Sequence, residues 1–318
     1  MSGDVGTGDP RAGDLRIGLD IGATKVLGAI VGGDGSVFAQ AREATAHGPD
    51  GVLATVMTVL DRLAAALAGT HPGRALPAHV GIGFPGLVDR DRGAVSHAVN
   101  VGIGGDWFPL GERLAERTAA EVVVENDVRA ATWGAHVLSG ADDLAYLSLG
   151  TGLAAGFVLD GVLRRGAHGA SGEIGHVPVD PRGARCSCGQ RGCLELAAAA
   201  SAVTAAWPAS GGLTPSAALF AAATAGNPAA VAARDRYAAG VADAIRMVGL
   251  AIDPSVIILG GGVTDLGAPL IAAVAAALRA QAADSPFLAA LDLASRIRLL
   301  PGGLPVGAIG AALIGKAG

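Results

Sequence analysis

Three cysteines and a histidine within one short stretch, GEIGHVPVDPRGARCSCGQRGCLE from Gly172 to Glu195, offer metal chemistry. Cys186, Cys188 and Cys193 are all the cysteines the chain has. A thiolate cluster with an imidazole nearby is the donor set of a closed tetrahedral zinc site. The C-x-C spacing disfavours a local disulfide, because bridged cysteines need Cα atoms about 5.5 Å apart in a restricted geometry. Gly189 and Gly192 let the loop fold back so that Cys193 can reach the same ion. Three thiolates leave a fourth position open; His176 is the nearest imidazole on the cysteine side and His168 the fallback. The competing reading is three reduced cysteines in a surface turn, but such clusters outside secretion usually ligate metal.

A second candidate is Asn126-Asp127, where a strand reading Val122 to Glu125 gives way to a helix, VRAATWGAHVL. Asn or Asp at that position caps a helix, and a helix N-terminus favours the ionised carboxylate. Phosphoryl transfer to an alcohol asks the protein for one carboxylate near the attacking hydroxyl and little other covalent chemistry. No G-x-x-x-x-G-K-[ST] is present, which excludes a P-loop kinase. Gly150-Thr-Gly152-Leu-Ala-Ala155 meets the dinucleotide fingerprint G-x-G-x-x-G/A. That fingerprint needs a helix next, whereas GFVLDGVLRRG follows, a hairpin sequence.

These residues have to be held by an alternation of strands, glycine turns and helices. LRIGLD from Leu15 to Asp20 reads as a buried strand, Ile21-Gly22-Ala23-Thr24-Lys25 as a turn, VLGAIV as a second strand, Asp34-Gly35 as a hairpin and SVFAQAR as a third. The pattern recurs: LAYLSL, Gly150-Thr151-Gly152, AAGFVL, Asp160-Gly161, VLRRG. Two related lobes are implied. Gly51 to Ala68 has helical spacing, Val80 to Pro85 a strand, Leu196 to Gly249 an alanine-rich helical stretch broken at Trp207-Pro208 and Gly211-Gly212. VIILGGGV ends in Gly260-Gly261-Gly262, and VGAIGAALIG is a short Gly/Ala helix. Ala23, and Ala154-Ala155 after the second turn, stand where a positive φ would be strained.

At 318 residues the chain exceeds what one core usually serves. The hydrophobic fraction of 51%, carried by alanine and valine, with 50 glycines and 3% aromatics, is that of an α/β protein with tight turns. We expect no bilayer-spanning stretch and no secretory leader, hence a cytoplasmic location, which suits reduced cysteines. A net charge of −5 gives no electrostatic case for nucleic acid.

Cys-x-Cys-Gly-x-x-Gly-Cys-x-Glu from Cys186 to Glu195, preceded by Gly172-Glu173-Ile174-Gly175-His176, resembles the signature of the ROK family of bacterial sugar kinases and sugar-responsive repressors. The strand and glycine-turn pattern is similar to the actin, hexokinase and Hsp70 nucleotide-binding architecture. The resemblance implies an α/β, two-lobed, ribonuclease-H-like, actin-type ATPase fold with a ligand cleft between lobes. Its expected parts are a disordered tail 1–14, an N-terminal lobe 15–126 plus 304–318, and a larger C-terminal lobe 127–303 carrying a structural zinc. It further implies that His176, Cys186, Cys188 and Cys193 hold the zinc, and that Glu173, His176 and Glu195 contact sugar hydroxyls together with Gly86, Asn100, Asn126 and Asp127. Asp127 matches the family's general base. Asp106 or Trp107 can share the role of Asn100. Gly22, Thr24, Gly150, Thr151 and Gly152 would cradle the nucleotide phosphates, with Asp20 and Lys25 beside them and Gly261 and Gly262 bordering the adenosine.

The activity so implied is ATP- and Mg2+-dependent phosphorylation of a hexose, glucose first, by a homodimer or higher homo-oligomer. N-acetylmannosamine, fructose or a C7 cyclitol are alternative acceptors and polyphosphate an alternative donor. A repressor role lacks its N-terminal helix-turn-helix in this sequence, and a non-catalytic sugar sensor is the remaining alternative.

Overall fold

A computed structural model describes residues 15–209 and 211–315; the tail 1–14, expected to be disordered, lies outside the described residues. In chain order the elements are β1 (Arg16–Ile21), β2 (Lys25–Val31), β3 (Val37–Ala44), α1 (Pro49–Thr70), β4 (His79–Phe84), β5 (Leu87–Asp89), β6 (Ala94–Ser96), α2 (Leu110–Thr118), β7 (Glu121–Asn126) and α3 (Asp127–Ser139). There follow β8 (Leu144–Leu149), β9 (Leu153–Leu159), β10 (Val162–Arg164), α4 (Glu195–Ala198), α5 (Ala200–Ala206), α6 (Pro215–Thr224), α7 (Pro228–Ala251), β11 (Val256–Gly260), α8 (Ala268–Ala282), α9 (Pro286–Leu291), β12 (Ile297–Leu299) and α10 (Val306–Leu313). Within the described residues they form two compact units, 15–138 with 305–315, and 139–304.

The first unit is built on a five-stranded sheet ordered β3-β2-β1-β4-β7. β3, β2 and β1 form an antiparallel meander, and β4 and β7 continue it in parallel. The turn at Gly22 and the Asp34-Gly35 hairpin make those reversals. α1 lays Val52, Leu53, Val56, Val59, Leu60, Leu63 and Leu67 into the core, where they meet Ile17, Leu19, Ile82 and Phe84. Contrary to the expectation of no such stretch, α1 is long and apolar enough, by length and composition alone, to cross a membrane. Here its apolar stripe is buried against the sheet.

α10 completes this unit in an unusual way. A Cβ on Gly18 or Gly81 would overlap the backbone carbonyls of Ala308 or Ala311, and one on Gly310 that of Ala130. The helix therefore sits at backbone distance on β1, β4 and α3. That explains why VGAIGAAL has small residues and no polar ones. It also ties α3 to this unit, so the division falls after Leu138, not at the expected Asn126–Asp127 boundary.

The second unit repeats the plan with the order β10-β9-β8-β11-β12: an antiparallel meander, then two parallel strands. Ala154 and Ala155 lie in β9, paired with Ser148 and Leu147. Neither they nor Ala23 is among the non-glycine residues with positive φ, so the alanines carry no backbone strain. β9 also disposes of the dinucleotide reading, because a strand follows the Gly150 turn where that fingerprint needs a helix. The helices start on caps legible in the sequence. Thr214 precedes Pro215, Asn227 precedes Pro228 and Ser285 precedes Pro286, and each side chain accepts a first-turn amide. Alanine and glycine along α7 let α4, α6 and α8 pack closely around it.

Candidate active site and metal centre

In the first unit, β7 ends and α3 begins between Asn126 and Asp127. The Asn126 Oδ1 accepts from the amides of Val128 and Arg129 at 3.1 and 3.2 Å, so Asn126 is the cap. Asp127, in the first turn, accepts from the Val128 amide at 2.8 Å. Beneath them lies a feature the sequence reading missed. Glu125, buried, accepts from Arg129 Nε at 2.8 Å and from the Asn126 amide at 3.0 Å, and Arg90 Nε stands 3.8 Å from its other oxygen. The Glu125-x-x-x-Arg129 spacing is the signal that was available. The Asn126 side-chain amide donates to the Gly86 carbonyl at 3.4 Å, so two of the expected sugar contacts are joined. Asn100 is exposed in the 3-10 turn Val99–Val101, and Trp107 in the same loop is half exposed at 50%.

Asp20, the partly buried position between Leu19 and Ile21 of β1, lies against Gly307 of α10, where a Cβ would come 2.6 Å from its carboxylate oxygen. Desolvation by the surrounding chain, and second the Asp127 carboxylate, push its pKa from 3.8 up to about 7, with Lys25 opposing. The folded chain thus keeps a proton that the unfolded chain gives up. Asp20 therefore costs stability progressively as pH rises from about 4 to about 7, and the cost is constant above that. Asp20→Asn should raise the melting temperature at pH 8 by several degrees in metal-free buffer, with the gain shrinking towards pH 5. A gain independent of pH in thermal melts would contradict this origin. The adjoining turn is held by Gly22 N to Lys25 O at 2.9 Å and by Thr45, whose hydroxyl donates to Gly22 O at 2.7 Å. It leaves Thr24 and Lys25 exposed.

In the second unit the turn Gly150-Thr151-Gly152 joins β8 to β9. A Cβ on Gly261 would fall 2.5 Å from the Leu149 carbonyl and 2.9 Å from the Gly150 nitrogen. The two segments assigned to the nucleotide, including Gly262 at the head of a 3-10 turn, are therefore in contact. The Gly172-Glu173-Ile174-Gly175-His176 segment lies across β9. Ala155 N donates to Gly172 O at 2.8 Å, and side chains at Gly172 or Gly175 would overlap the carbonyls of Ala155 and Leu153. The glycines thus fix Glu173, which is exposed, and His176 relative to the turn.

His176, Cys186, Cys188 and Cys193 bring one ligand atom each to within 4.8 Å of one another. His176 Nδ1 is 3.9 Å from Cys186 Sγ, and Cys188 and Cys193 sulfurs are 3.6 Å apart without a bond between them. Tetrahedral zinc with Zn–S near 2.3 Å asks for sulfurs ~3.8 Å apart, so the donor set fits zinc. His176 is the fourth member of the donor set, and His168 is outside the cluster. Gln190 braces the loop, donating to the His176 carbonyl at 3.0 Å. With Nδ1 facing the sulfurs, the other imidazole nitrogen of His176 remains for a different partner.

Comparison with known proteins agrees with this architecture. The profile of the ROK family matches residues 16–316. The chain is 33% identical over 280 residues to a glucokinase of Streptomyces coelicolor, covering 80% of this chain and 83% of that one. It is 31% identical over 254 residues to an N-acetylmannosamine kinase of Yersinia pseudotuberculosis, covering 78% and 82%. Among solved structures, a ROK family glucokinase from Streptomyces griseus in complex with glucose and AMPPNP superposes with a TM-score of 0.73 at 31% identity, over 94% of this chain and 98% of that one. With a doubled β-meander plan, a His/Cys3 cluster able to hold a metal and a match along nearly its whole length, the chain belongs to the ROK family.

Proposed function

We propose that this chain is an ATP-dependent sugar kinase whose first acceptor is glucose. The observation that carries the reading is Asp127, held in the first turn of α3 with Asn126 as cap and the Asp20 carboxylate as neighbour. Asp127 takes the proton of the sugar's 6-hydroxyl as that oxygen attacks the γ-phosphorus. The bond from phosphorus to the bridging oxygen breaks, and ADP leaves. Mg2+ neutralises charge on the phosphates when bound, and Asp20 is the residue we assign to hold it through water. A carboxyl whose pKa is raised first by burial and then by a second carboxylate suits such a partner, because a cation offsets the lost hydration and relieves both charges.

Glu173, Glu195 and the free nitrogen of His176 are assigned to sugar hydroxyls, as carboxylates accept from hydroxyls and a metal-bound imidazole donates through its second nitrogen. The zinc has no step in the transfer; its four ligands fix the loop that carries these groups. The glucokinase and N-acetylmannosamine kinase relatives stand at 33% and 31% identity, so an N-acetylated acceptor is the second reading. An ADP-release assay with ATP and Mg2+ across glucose, mannose, fructose, N-acetylmannosamine and N-acetylglucosamine tests both. Turnover on glucose with at least tenfold higher kcat/KM than on the others is expected. The same preference for N-acetylmannosamine selects the second reading, and no turnover on any sugar overturns both.

A further inference from the structure

We propose that Glu195, besides the sugar contact assigned to it above, fastens the glycine turn Gly150–Gly152 to the metal-holding loop, so that nucleotide affinity depends on metal occupancy. The inference rests on the kinase reading above. Glu195 opens α4 immediately after the last cysteine ligand and its neighbour, Cys193-Leu194. Its Oε2 accepts from the Leu153 amide at 3.3 Å. A Cβ on Gly152 would lie 2.5 Å from that same oxygen, so the carboxylate occupies the space beside the turn where a side chain would stand. Its Oε1 lies 3.7 Å from Cys186 Sγ, a contact that only the protonated thiol can donate. With metal bound, the link from the metal loop to the residue that closes the turn therefore runs through the chain, Cys193-Leu194-Glu195.

Two further bonds keep the span short. Leu194 N donates to Val177 O at 3.0 Å, and Ala200 N donates to Gly150 O at 2.8 Å. The N–H groups of a glycine turn bind phosphate only while they point the same way, and the Leu153 amide bond to Glu195 sets where that turn ends. Emptying the metal site releases the Cys186–Cys193 loop, and Glu195 loses its fixed origin. Linkage runs in both directions, so a bound nucleotide must tighten the metal by the factor by which the metal tightens the nucleotide.

The test is calorimetric ADP·Mg2+ binding to zinc-loaded and zinc-stripped full-length protein, with zinc content measured for each sample. Stripping the wild type should weaken ADP about tenfold, the order expected for one charge-assisted hydrogen bond. Glu195→Ala should be about tenfold weaker with zinc and no weaker without it. Glu195→Gln, whose amide oxygen still accepts from Leu153, should recover most of the loss. Equal sensitivity to stripping in wild type and Glu195→Ala, or none in the wild type, overturns the inference. If the alanine variant does not fold, chelator competition on the wild type decides. ADP should raise the chelator concentration needed for half-removal about tenfold, and an unchanged midpoint overturns the proposal. A protein that phosphorylates sugar without this coupling sinks the inference alone, whereas zinc-loaded protein that binds no nucleotide sinks the kinase reading with it.

Discussion

Asp127→Asn should lower phosphoryl transfer by about three orders of magnitude while sugar affinity stays within a few-fold of wild type. A positioned general base contributes roughly 10²- to 10⁴-fold. The asparagine oxygen can still accept the Val128 amide now bonded to Asp127, and the cap at Asn126 is untouched. Fold and binding are therefore separated from chemistry. A second readout is independent of turnover. The Asp127 carboxylate is one of the two causes that raise the Asp20 pKa, so its removal should move the Asp20 titration, followed by NMR, towards the ordinary carboxylate range. Near-normal turnover in stopped-flow or steady-state assays would take the base role away from Asp127. An unmoved Asp20 would show that burial alone sets that pKa.

The largest expected effect on stability comes from one methyl group. Gly81→Ala places a Cβ into the Ala311 carbonyl, backbone against backbone, with no flexible side chain to yield. β4 and α10 must then separate, at a cost of about 3 kcal/mol or more, on the order of 10 °C in melting temperature. Gly33→Ala is the matched control. Nothing stands within 4 Å of its added Cβ, and its φ is not positive, so the change should be within about 1 °C. Equal melting temperatures for the two variants would mean that α10 is not seated as described.

Legibility followed the range of the interactions. The metal loop could be read because its ligands are chemically distinctive and close in the chain, and His176 was preferred to His168 on spacing alone. The strand and turn plan could be read too, since hairpin glycines and helix caps such as Asn227-Pro228 act locally. What stayed hidden depends on pairs far apart in sequence. Gly81 has a reason only once Ala311 is beside it, and the apolar composition of α10 is uninformative without β1 and β4. The Glu195 bond to Leu153 spans 42 positions. α3 was assigned by its place in the chain, whereas its Ala130 and Gly134 surface, pressed against Gly310 and Val306, decides where it belongs.

The first unit is assembled from two segments with the whole second unit between them. On the ribosome, β1 to β7 and α3 emerge first, yet the glycine strip of β1 and β4 has no cover until α10 appears. Residues 139–304 are continuous, and every strand of their sheet is present as soon as β12 is synthesised. Domains tend to fold as units during synthesis, so the second unit can be finished while the first still waits for its closing helix. Order of synthesis and order of completion are thus opposed: the strands made first are the last to be sealed.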